Sequence, residues 1–336
     1  MIADGMMPGS PPQSRFEFNL VDALPVPVTS LVNDSRLVTA GDTFLAYPGE
    51  RLDGRQFIPQ AIAQGANAIV WEAQGYVWDP AWQVPNLPVP QLRGKVGEFA
   101  SEVYGRPSRK LCVIGITGTN GKTSCSHWLA QALSQAGRPS AIIGTLGNGF
   151  PEQLEPSPNT TPDPIVLQKS LQRYLRQGAT CAAMEVSSHA LDQGRVNGVH
   201  FEMALFTNLS REHLDYHGDM KRYASAKSAL FTWPELRHAV INGDDPYGAE
   251  LRQKAEARGV KVIGYGFDGG EVRGSNLRVG PQGLAFDVAT PWGEARLESS
   301  VLGRFNAHNL LAVLATLLVG GVPFEQAMVS VQHVQP

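Results

Sequence analysis

Residues 115–123 read Gly-Ile-Thr-Gly-Thr-Asn-Gly-Lys-Thr and directly follow an apolar run at 111–114. An amphipathic stretch then covers 122–137, so the predicted order is strand, glycine-rich turn and helix. Small residues let the backbone curl until several N–H groups converge on a polyphosphate, and the helix N-terminus adds a positive end. Lys122 supplies a point charge, and Thr123 offers a hydroxyl to Mg²⁺. The stretch therefore predicts a phosphate-binding loop that takes ATP. The glycines depart from the common spacing, and the alternative is a tight structural turn.

Composition excludes several classes of protein. The 336-residue chain has 28 Lys and Arg against 31 Asp and Glu, a net charge of −3, and no run of like charge, so we expect no nucleic-acid partner. The first residues lack a basic segment followed by an apolar one, and the longest apolar stretch, 310–319, is too short to cross a bilayer. Three cysteines without metal-ligand spacing suit a reducing compartment. We therefore expect a cytoplasmic monomer without membrane insertion.

The pattern along the chain predicts two domains and a leader. Residues 1–14 are rich in Gly, Pro, Ser and Met and are expected to be disordered. Residues 15–108 begin with a strand–helix–strand pattern, which an irregular, Pro- and Trp-rich connection at 78–90 follows. Residues 109–336 alternate strands and helices and change to short alternating strands at 260–302. The predicted class is α/β: a small N-terminal α/β domain plus a central P-loop domain with a mostly parallel sheet, flanking helices and an antiparallel add-on.

Two polar segments follow neighbouring strands of the predicted central sheet. Glu185 ends one apolar strand, and His213 lies in the segment after the next strand. Because the carboxyl ends of parallel strands meet at one edge of a sheet, both side chains are expected near the phosphate loop. A carboxylate there suits Mg²⁺, and the imidazole would be a further ligand or would orient one. Taken singly, such a residue after a strand is more often a capping or core residue, but two such segments beside a nucleotide loop favour the metal site.

Several strings together resemble one known family, the Mur ligases. The matching strings are Thr117-Gly118-Thr119-Asn120-Gly121-Lys122-Thr123, Asn159-Thr160-Thr161, residues 184–189, residues 208–218, Gly303-Arg304-Phe305-Asn306-Ala307-His308-Asn309, Asn33-Asp34-Ser35-Arg36 and Asp53-Gly54-Arg55. They extend from about residue 30 to the last residues of the chain. Within the family, the similarity favours the members that add the third amino acid of the peptidoglycan precursor, with meso-diaminopimelate as that amino acid.

The resemblance implies a reaction and a set of catalytic residues. The family transfers the γ-phosphate of ATP to a carboxylate, here that of UDP-N-acetylmuramoyl-L-alanyl-D-glutamate, and an amine attacks the acyl phosphate. Both steps gather negative charge, so cations must be placed in advance. Lys122, Lys227, Glu185 and His213 would be catalytic, and Thr123, Glu185, His213 and Lys227 would form the Mg²⁺ set. Lys227 matches a lysine that the family carries as a carbamate, an anionic oxygen ligand; from sequence alone, the alternative is a solvated helix lysine.

The same resemblance implies the binding residues. ATP would lie on Gly118, Thr119, Asn120, Gly121, Lys122, Thr123, Asn306 and Asn309. The two asparagines share one helix face and would border the adenine, because an amide offers a base edge both a donor and an acceptor; simple N-capping is the alternative. The substrate-binding residues would be Ser35 for the uridine diphosphate and Asn159, Thr160, Thr161, Ser187 and Arg195 for the muramoyl peptide.

Members of the family continue past the region that matches 331–336 into a third domain, which carries the determinants for the incoming amino acid. We expect this C-terminal domain to be absent and the isolated chain to be inactive in ligation without it. The alternative is a UDP-sugar and nucleotide binding module without catalysis. Folylpolyglutamate synthetase has a similar glycine loop, but it lacks the uridine-binding domain that Ser35, Arg36 and residues 53–55 indicate.

Overall fold

The computed structural model describes residues 20–50 and 52–335. The leader predicted at 1–14 lies outside the described residues. The helices are α1 (Leu20–Ala23), α2 (Ile58–Ala63), α3 (Leu92–Val103), α4 (Lys122–Gln135), α5 (Pro164–Arg176), α6 (Ser188–Asp192), α7 (Leu214–His217), α8 (Met220–Ser228), α9 (Gly248–Glu256), α10 (Arg304–Val319) and α11 (Phe324–Gln332). The strands are β1 (Leu31–Val32), β2 (Thr43–Ala46), β3 (Ala68–Glu72), β4 (Asn86–Val89), β5 (Cys112–Thr117), β6 (Ser140–Gly144), β7 (Gly147–Phe150), β8 (Gln153–Glu155), β9 (Cys181–Glu185), β10 (Met203–Phe206), β11 (His238–Asn242), β12 (Lys261–Gly266), β13 (Val272–Gly280), β14 (Gly283–Thr290) and β15 (Gly293–Ser299).

The larger sheet has, within the described ranges, the strand order β15-β14-β13-β12-β11-β10-β5-β9-β6-β7-β8. The strands from β13 to β6 pair in parallel, and β14, β15, β7 and β8 add antiparallel pairs at the two sides. Helices cover both faces, which is why the central strands are apolar throughout. Along β5, Ile114 and Ile116 enter the core beneath α4 and α10, whereas Val113 enters the core beneath α5. The predicted α/β class is confirmed.

The smaller sheet contains four parallel strands among the described residues, in the order β1-β2-β3-β4. Strand β4 contradicts the irregular connection that the sequence predicted at 78–90. Pro88 lies within β4 opposite Trp71 of β3. A proline cannot donate to a strand ladder, but an edge strand tolerates it because one side has no neighbour. Residues 78–85 contain no helix or strand, as predicted, so the interpretation as irregular chain was wrong only for the edge strand at 86–89.

The two sheets belong to units that pack against each other through α3 and α5. Gln172 Nε2 donates to Tyr104 O over 2.7 Å, and Asn197 Nδ2 donates to Gly94 O over 2.8 Å. Ile165 of α5 is buried in the core of the smaller unit. The domain boundary placed at 108 stays a prediction. No helix in the described part of the chain is both long and apolar enough to cross a membrane.

The carboxyl ends of the central parallel strands meet at one edge of the larger sheet. Strand β5 ends at Thr117, β6 at Gly144, β9 at Glu185 and β10 at Phe206. The segments that leave these strands therefore lie side by side, and α4 begins among them.

Candidate functional site

The glycine-rich loop between β5 and α4 is held by the chain that leaves β10. Asn208 Oδ1 accepts from Asn120 N over 3.0 Å, its Nδ2 donates to Asn120 O over 3.0 Å, and its carbonyl accepts from Thr119 N over 2.8 Å. Gly118 has φ +149°, and a Cβ there would collide with Thr207 Oγ1. The shape of the loop is therefore fixed by its contacts with the segment that follows β10, and not by the loop sequence alone.

Two lysine ammonium groups converge on this loop. Lys122 Nζ donates to Gly118 O over 2.9 Å and to Thr119 O over 2.7 Å, and Lys227 Nζ donates to the same Gly118 O over 2.8 Å. Burial lowers the pKa of Lys122. Burial, and after it the charge of Lys122, lowers the pKa of Lys227 to about 7. Positive charge at this loop attracts a polyphosphate, and the proximity of the two lysines favours the neutral amine of Lys227.

Helix α8 holds Lys227 in the interior. Its side chain is only 1% exposed, so the alternative of a solvated helix lysine is wrong. The Nζ atom lies 4.5 Å from the ring centroid of Tyr223, a cation–π distance, and the Tyr223 hydroxyl lies 3.1 Å from Thr119 Oγ1. Sequence reasoning missed Tyr223, although its position four residues before Lys227 on a helix is a signal that the two side chains meet.

The carboxylate of Glu185, at the end of β9, faces the first turn of α4. Its Oε2 accepts from Thr123 Oγ1 over 3.0 Å, and its two oxygens accept from Thr145 N over 2.9 Å and Thr145 Oγ1 over 3.1 Å. The side chain is fully buried. A Cβ on Gly144 would collide with Glu185 Oε1, so this approach requires glycine. Neither Thr145 nor Gly144 was among the predicted residues.

His213 lies on the wall of the site with its side chain 43% exposed, so it is not a core residue. It precedes α7 with φ +54° and makes no side-chain cap. Its Nε2 lies 3.6 Å from Glu212 Oε2, and its ring meets the ring of His189 edge-on at 4.9 Å between centroids. Both alternative interpretations of His213, capping and core, are therefore wrong.

A cavity of about 250 Å³ joins these groups. Predicted residues that line it are Thr119, Asn120, Gly121, Lys122, Thr123, Thr160, Glu185, Ser187, His213 and Lys227. Sequence reasoning missed four further lining residues: Ser124, Thr145, Ser188 and Glu212. Cations, hydroxyls and carboxylates share this one cavity, which suits a polyphosphate and its counter-ions.

Several predicted substrate residues lie beside the cavity or away from it. Thr161 Oγ1 donates to Glu185 O over 2.8 Å, and Arg195 Nη1 donates to Thr161 O over 3.1 Å, so both adjoin the wall. Asn159 is exposed and does not line the cavity. Ser35 lies in the smaller unit, where its hydroxyl donates to Gln60 Oε1 over 3.0 Å. The structure therefore does not bring Asn159 and Ser35 to the phosphate loop.

The two predicted asparagines of α10 pair with each other. Asn309 Nδ2 donates to Asn306 Oδ1 over 2.9 Å, and Asn306 Nδ2 donates to Leu302 O over 2.8 Å. A Cβ on Gly121 would lie 2.5 Å from Asn309 Oδ1, so this side chain touches the phosphate loop. The cap position of α10 is Gly303, and no side chain caps the helix. The alternative of N-capping is therefore wrong.

The donor set at the cavity suits a hard cation. Thr123 and Glu185 offer a hydroxyl and a carboxylate that already meet, and oxygen donors are those that Mg²⁺ prefers. In the described ranges, no three His, Cys, Asp or Glu side chains are placed to hold a metal by themselves. Thr123 and Glu185 therefore fit a Mg²⁺ ion, whose remaining ligands would be phosphate oxygens and water.

Comparisons with known proteins agree with this geometry. The family model for the Mur ligase middle domain matches residues 116–317, and the model described as Mur ligase family, catalytic domain, matches 27–104. A UDP-N-acetylmuramoyl-L-alanyl-D-glutamate–2,6-diaminopimelate ligase of Chromobacterium violaceum is 52% identical over 318 residues, which is 94% of this chain and 64% of the relative. The enzyme of the same name from Nitrosomonas europaea is 50% identical over 328 residues, or 94% and 63%.

A solved structure of a ligase with this name has a TM-score of 0.82 and 33% identity, covering 92% of this chain and 63% of the other. The chain thus spans somewhat less than two thirds of the length of the relatives that it matches. The match of the middle-domain model to more than half of the chain, in agreement with the loop, its two lysines and the Glu185 carboxylate, shows that the chain belongs to the Mur ligase family.

Proposed function

We propose that the chain forms the ATP-binding and UDP-sugar-binding part of an ATP-dependent amide ligase. The ligase would add meso-diaminopimelate to UDP-N-acetylmuramoyl-L-alanyl-D-glutamate, the reaction that the names of the relatives describe. The observation that carries the proposal is the cavity in which Lys122, Lys227 and the Thr123–Glu185 pair meet at a phosphate-binding loop.

Each residue has a task in forming an acyl phosphate. An oxygen of the substrate carboxylate attacks the γ-phosphorus, and the bond to the departing ADP breaks. Thr123 and Glu185 would hold Mg²⁺, which supplies neutralising charge for the phosphate oxygens. Lys122 would exchange its bonds to the carbonyls of Gly118 and Thr119 for a bond to a phosphate. In the second step the amine attacks the acyl carbon, loses a proton, and phosphate leaves.

We propose that Lys227 becomes a carbamate. Its neutral amine would add to the carbon of CO₂ and release one proton, which gives an N-carboxylate with two anionic oxygens. Only a neutral amine adds to CO₂, and the lowered pKa of about 7 makes this form abundant at neutral pH. The product would also replace a repulsive lysine pair with an attractive anion–cation pair beside Lys122.

This modification gives a test that requires no turnover. With ¹³C-bicarbonate and no added metal, we expect one protein carbamate signal in ¹³C NMR, which disappears in Lys227→Gln. The signal should weaken as the pH falls below about 7, since protonation removes the reactive amine. Lys221→Gln, which removes an exposed lysine from the same helix, is the control and should keep the signal. A signal that survives in Lys227→Gln would refute the assignment.

Arg195 offers a charge to the muramoyl peptide. Its guanidinium is half-buried and donates to two neutral acceptors, Gln193 Oε1 over 2.7 Å and Thr161 O over 3.1 Å. Thr161 in turn contacts Glu185 and Ser187 at the cavity wall. The cation therefore lies next to the phosphate site, where a substrate carboxylate must arrive.

The proposed function is tested by titrating UDP-N-acetylmuramoyl-L-alanyl-D-glutamate into the chain by calorimetry. The wild-type chain should bind it, and Arg195→Ala should bind it at least about tenfold more weakly, because a hydrogen bond to a charged group contributes about 1.5–3 kcal/mol. ATP affinity should not change. Arg176→Ala, at the exposed end of α5, is the matched control. A wild-type chain that binds neither this compound nor ATP would refute the proposed function.

A further inference from the structure

The amino ends of β5 and β9 place two cysteines side by side. Cys112 begins β5, Cys181 begins β9, and the two residues are direct partners in the register of these parallel strands. Both side chains meet the same core, the one beneath α4 and α10, so both thiols lie on one face of the sheet. Neighbouring strands lie about 4.8 Å apart, within the Cα separation of about 4.4–6.8 Å that a disulfide bond requires. The backbone therefore holds the two thiols where a disulfide bond can join them.

The surroundings of this pair favour the loss of one proton. A hydrogen bond from the Cys112 thiol holds the pKa of Cys181 below its ordinary value, against the effect of burial and with help from the Arg138 guanidinium. Thr180 Oγ1 lies 3.9 Å from the Cys181 sulfur. The interaction with Cys181, and after it burial, raises the pKa of Cys112. The two thiols therefore titrate as a pair that shares its remaining proton, and either sulfur can carry the negative charge.

The two sulfurs differ in their access to solvent. Cys112 is half-buried, whereas Cys181 is fully buried. A reagent that arrives from solvent therefore meets Cys112 first, and Cys181 can attack it only from within the sheet. Cys125, the remaining cysteine of the sequence, is fully buried in α4 with its Sγ 3.7 Å from Asn309 Oδ1, and burial raises its pKa. Since a buried thiol with a raised pKa is inert, Cys125 serves as an internal reference.

We propose that Cys112 and Cys181 form an oxidation site, at which a small-molecule disulfide converts the two thiols into a reversible Cys112–Cys181 disulfide bond. The Cys112 thiolate attacks one sulfur of the reagent, the S–S bond of the reagent breaks, and one reagent thiol leaves. The Cys181 thiolate then attacks the Cys112 sulfur, and the second reagent thiol leaves. The two protons of the pair go to the departing thiols, and two electrons pass from the protein to the reagent.

This site is separate from the catalytic cavity. Strand β5 ends at Thr117 and β9 at Glu185, so at about 3.3 Å per residue the thiols lie about 13–17 Å from the edge that carries the phosphate loop. The bond would join the starts of the two strands whose other ends carry that loop and Glu185. In a reducing compartment the pair stays as thiols, and the bond would form under oxidising conditions only. The inference goes beyond the proposed function and holds whether or not a nucleotide binds.

The test maps disulfide bonds in the full chain by mass spectrometry. The folded, reduced chain is treated with cystamine, a small disulfide, and the remaining thiols are alkylated before digestion. In the wild type we expect a linked pair of peptides that contain Cys112 and Cys181, and excess dithiothreitol should remove the link. In Cys181→Ser, half of the reagent should stay on Cys112 as a mixed disulfide, because the thiol that would displace it is missing. Cys125→Ser is the matched control and should form the same link as the wild type.

The alternative outcomes are distinct, and the first two need no variant. A wild-type chain that keeps both thiols free, or that retains half of the reagent on Cys112, would overturn the proposal. In denaturant the three cysteines should react without preference, so a Cys112–Cys181 link that predominates there as strongly as in the folded chain would also overturn it. None of these results bears on the proposed function, which the binding of ATP and of the UDP-sugar tests separately.

Discussion

Replacing Lys122 with alanine is expected to weaken ATP binding by at least about 100-fold. The ammonium group is half-buried at the loop, where a charge-assisted bond to phosphate is worth more than in water. Lys227 does not replace it, because its side chain is bonded to Gly118 O and would be an anion as the proposed carbamate. The measurement is a calorimetric titration of Mg²⁺-ATP into wild type and variant.

Thermal unfolding separates this effect from misfolding. Lys122→Ala removes two hydrogen bonds to the loop backbone, each worth about 1 kcal/mol, so the melting temperature should fall by only a few degrees. Lys110→Ala, an exposed lysine before β5 at the opposite edge of the sheet, should behave as wild type. Equal ATP affinities for Lys122→Ala and wild type would reject the phosphate-binding assignment.

The elements around the loop were predictable because their signals are local. A strand, a glycine-rich turn and a helix follow each other within residues 111–137, and each carries its own periodicity. Glu185 was found because it ends an apolar strand, and parallel strands bring their carboxyl ends to one edge. Fold class and the general location of the site therefore followed from sequence. The family resemblance was needed to add Lys227, Asn306 and Asn309.

The supporting residues could not be predicted, because their roles arise from contacts between distant segments. Asn208 binds the loop at Asn120, 88 positions away in the sequence, and Thr145 donates to Glu185, 40 positions away. Asn208 begins a string that matches the family, but the match assigned it no role, and Thr145 lies in no matching string; an Asn or Thr after a strand most often caps or turns the chain. Their roles follow from the order of the neighbouring strands β6, β9, β5 and β10, which brings the segments after these strands together.

Sequence alone favoured a solvated environment for Lys227, whereas the structure buries it. Helix α8 is polar and short, which indicates a solvated helix. The environment of Lys227 is set by contacts between this helix and the phosphate loop, because Gly118 O accepts from its ammonium and Thr119 Oγ1 lies 3.1 Å from the hydroxyl of Tyr223 on the same helix. The Gly118 carbonyl, the Tyr223 ring and the charge of Glu212 compensate the cation only in part, because burial still lowers the pKa of Lys227 to about 7, and this cost favours chemical modification.

Glu185→Gln is expected to abolish the effect of Mg²⁺ on ATP binding. In the wild type, Mg²⁺ should tighten ATP binding, because the buried carboxylate and the Thr123 hydroxyl complete its ligands. The neutral amide keeps the shape and still accepts from Thr145 N, but it attracts a divalent cation far less. Since loss of even an outer-shell partner costs about 10–100-fold in metal affinity, loss of the direct ligand should cost at least about 100-fold. The measurement is ATP affinity with Mg²⁺ and with EDTA.

A second variant separates the effect of the position of the carboxylate from the effect of its charge. Gly144→Ala keeps Glu185 but places a methyl group where Oε1 now lies, so the carboxylate must move and the Mg²⁺ effect should fall in the same direction. Glu202→Gln changes a carboxylate next to the amino end of β10, where its partner is Arg237 at 3.3 Å, and should leave the Mg²⁺ effect intact. If Glu185→Gln and Gly144→Ala both retain the wild-type response to Mg²⁺, the cation does not bind between Thr123 and Glu185. The buried carboxylate would then serve only to fix Thr145 and the first turn of α4.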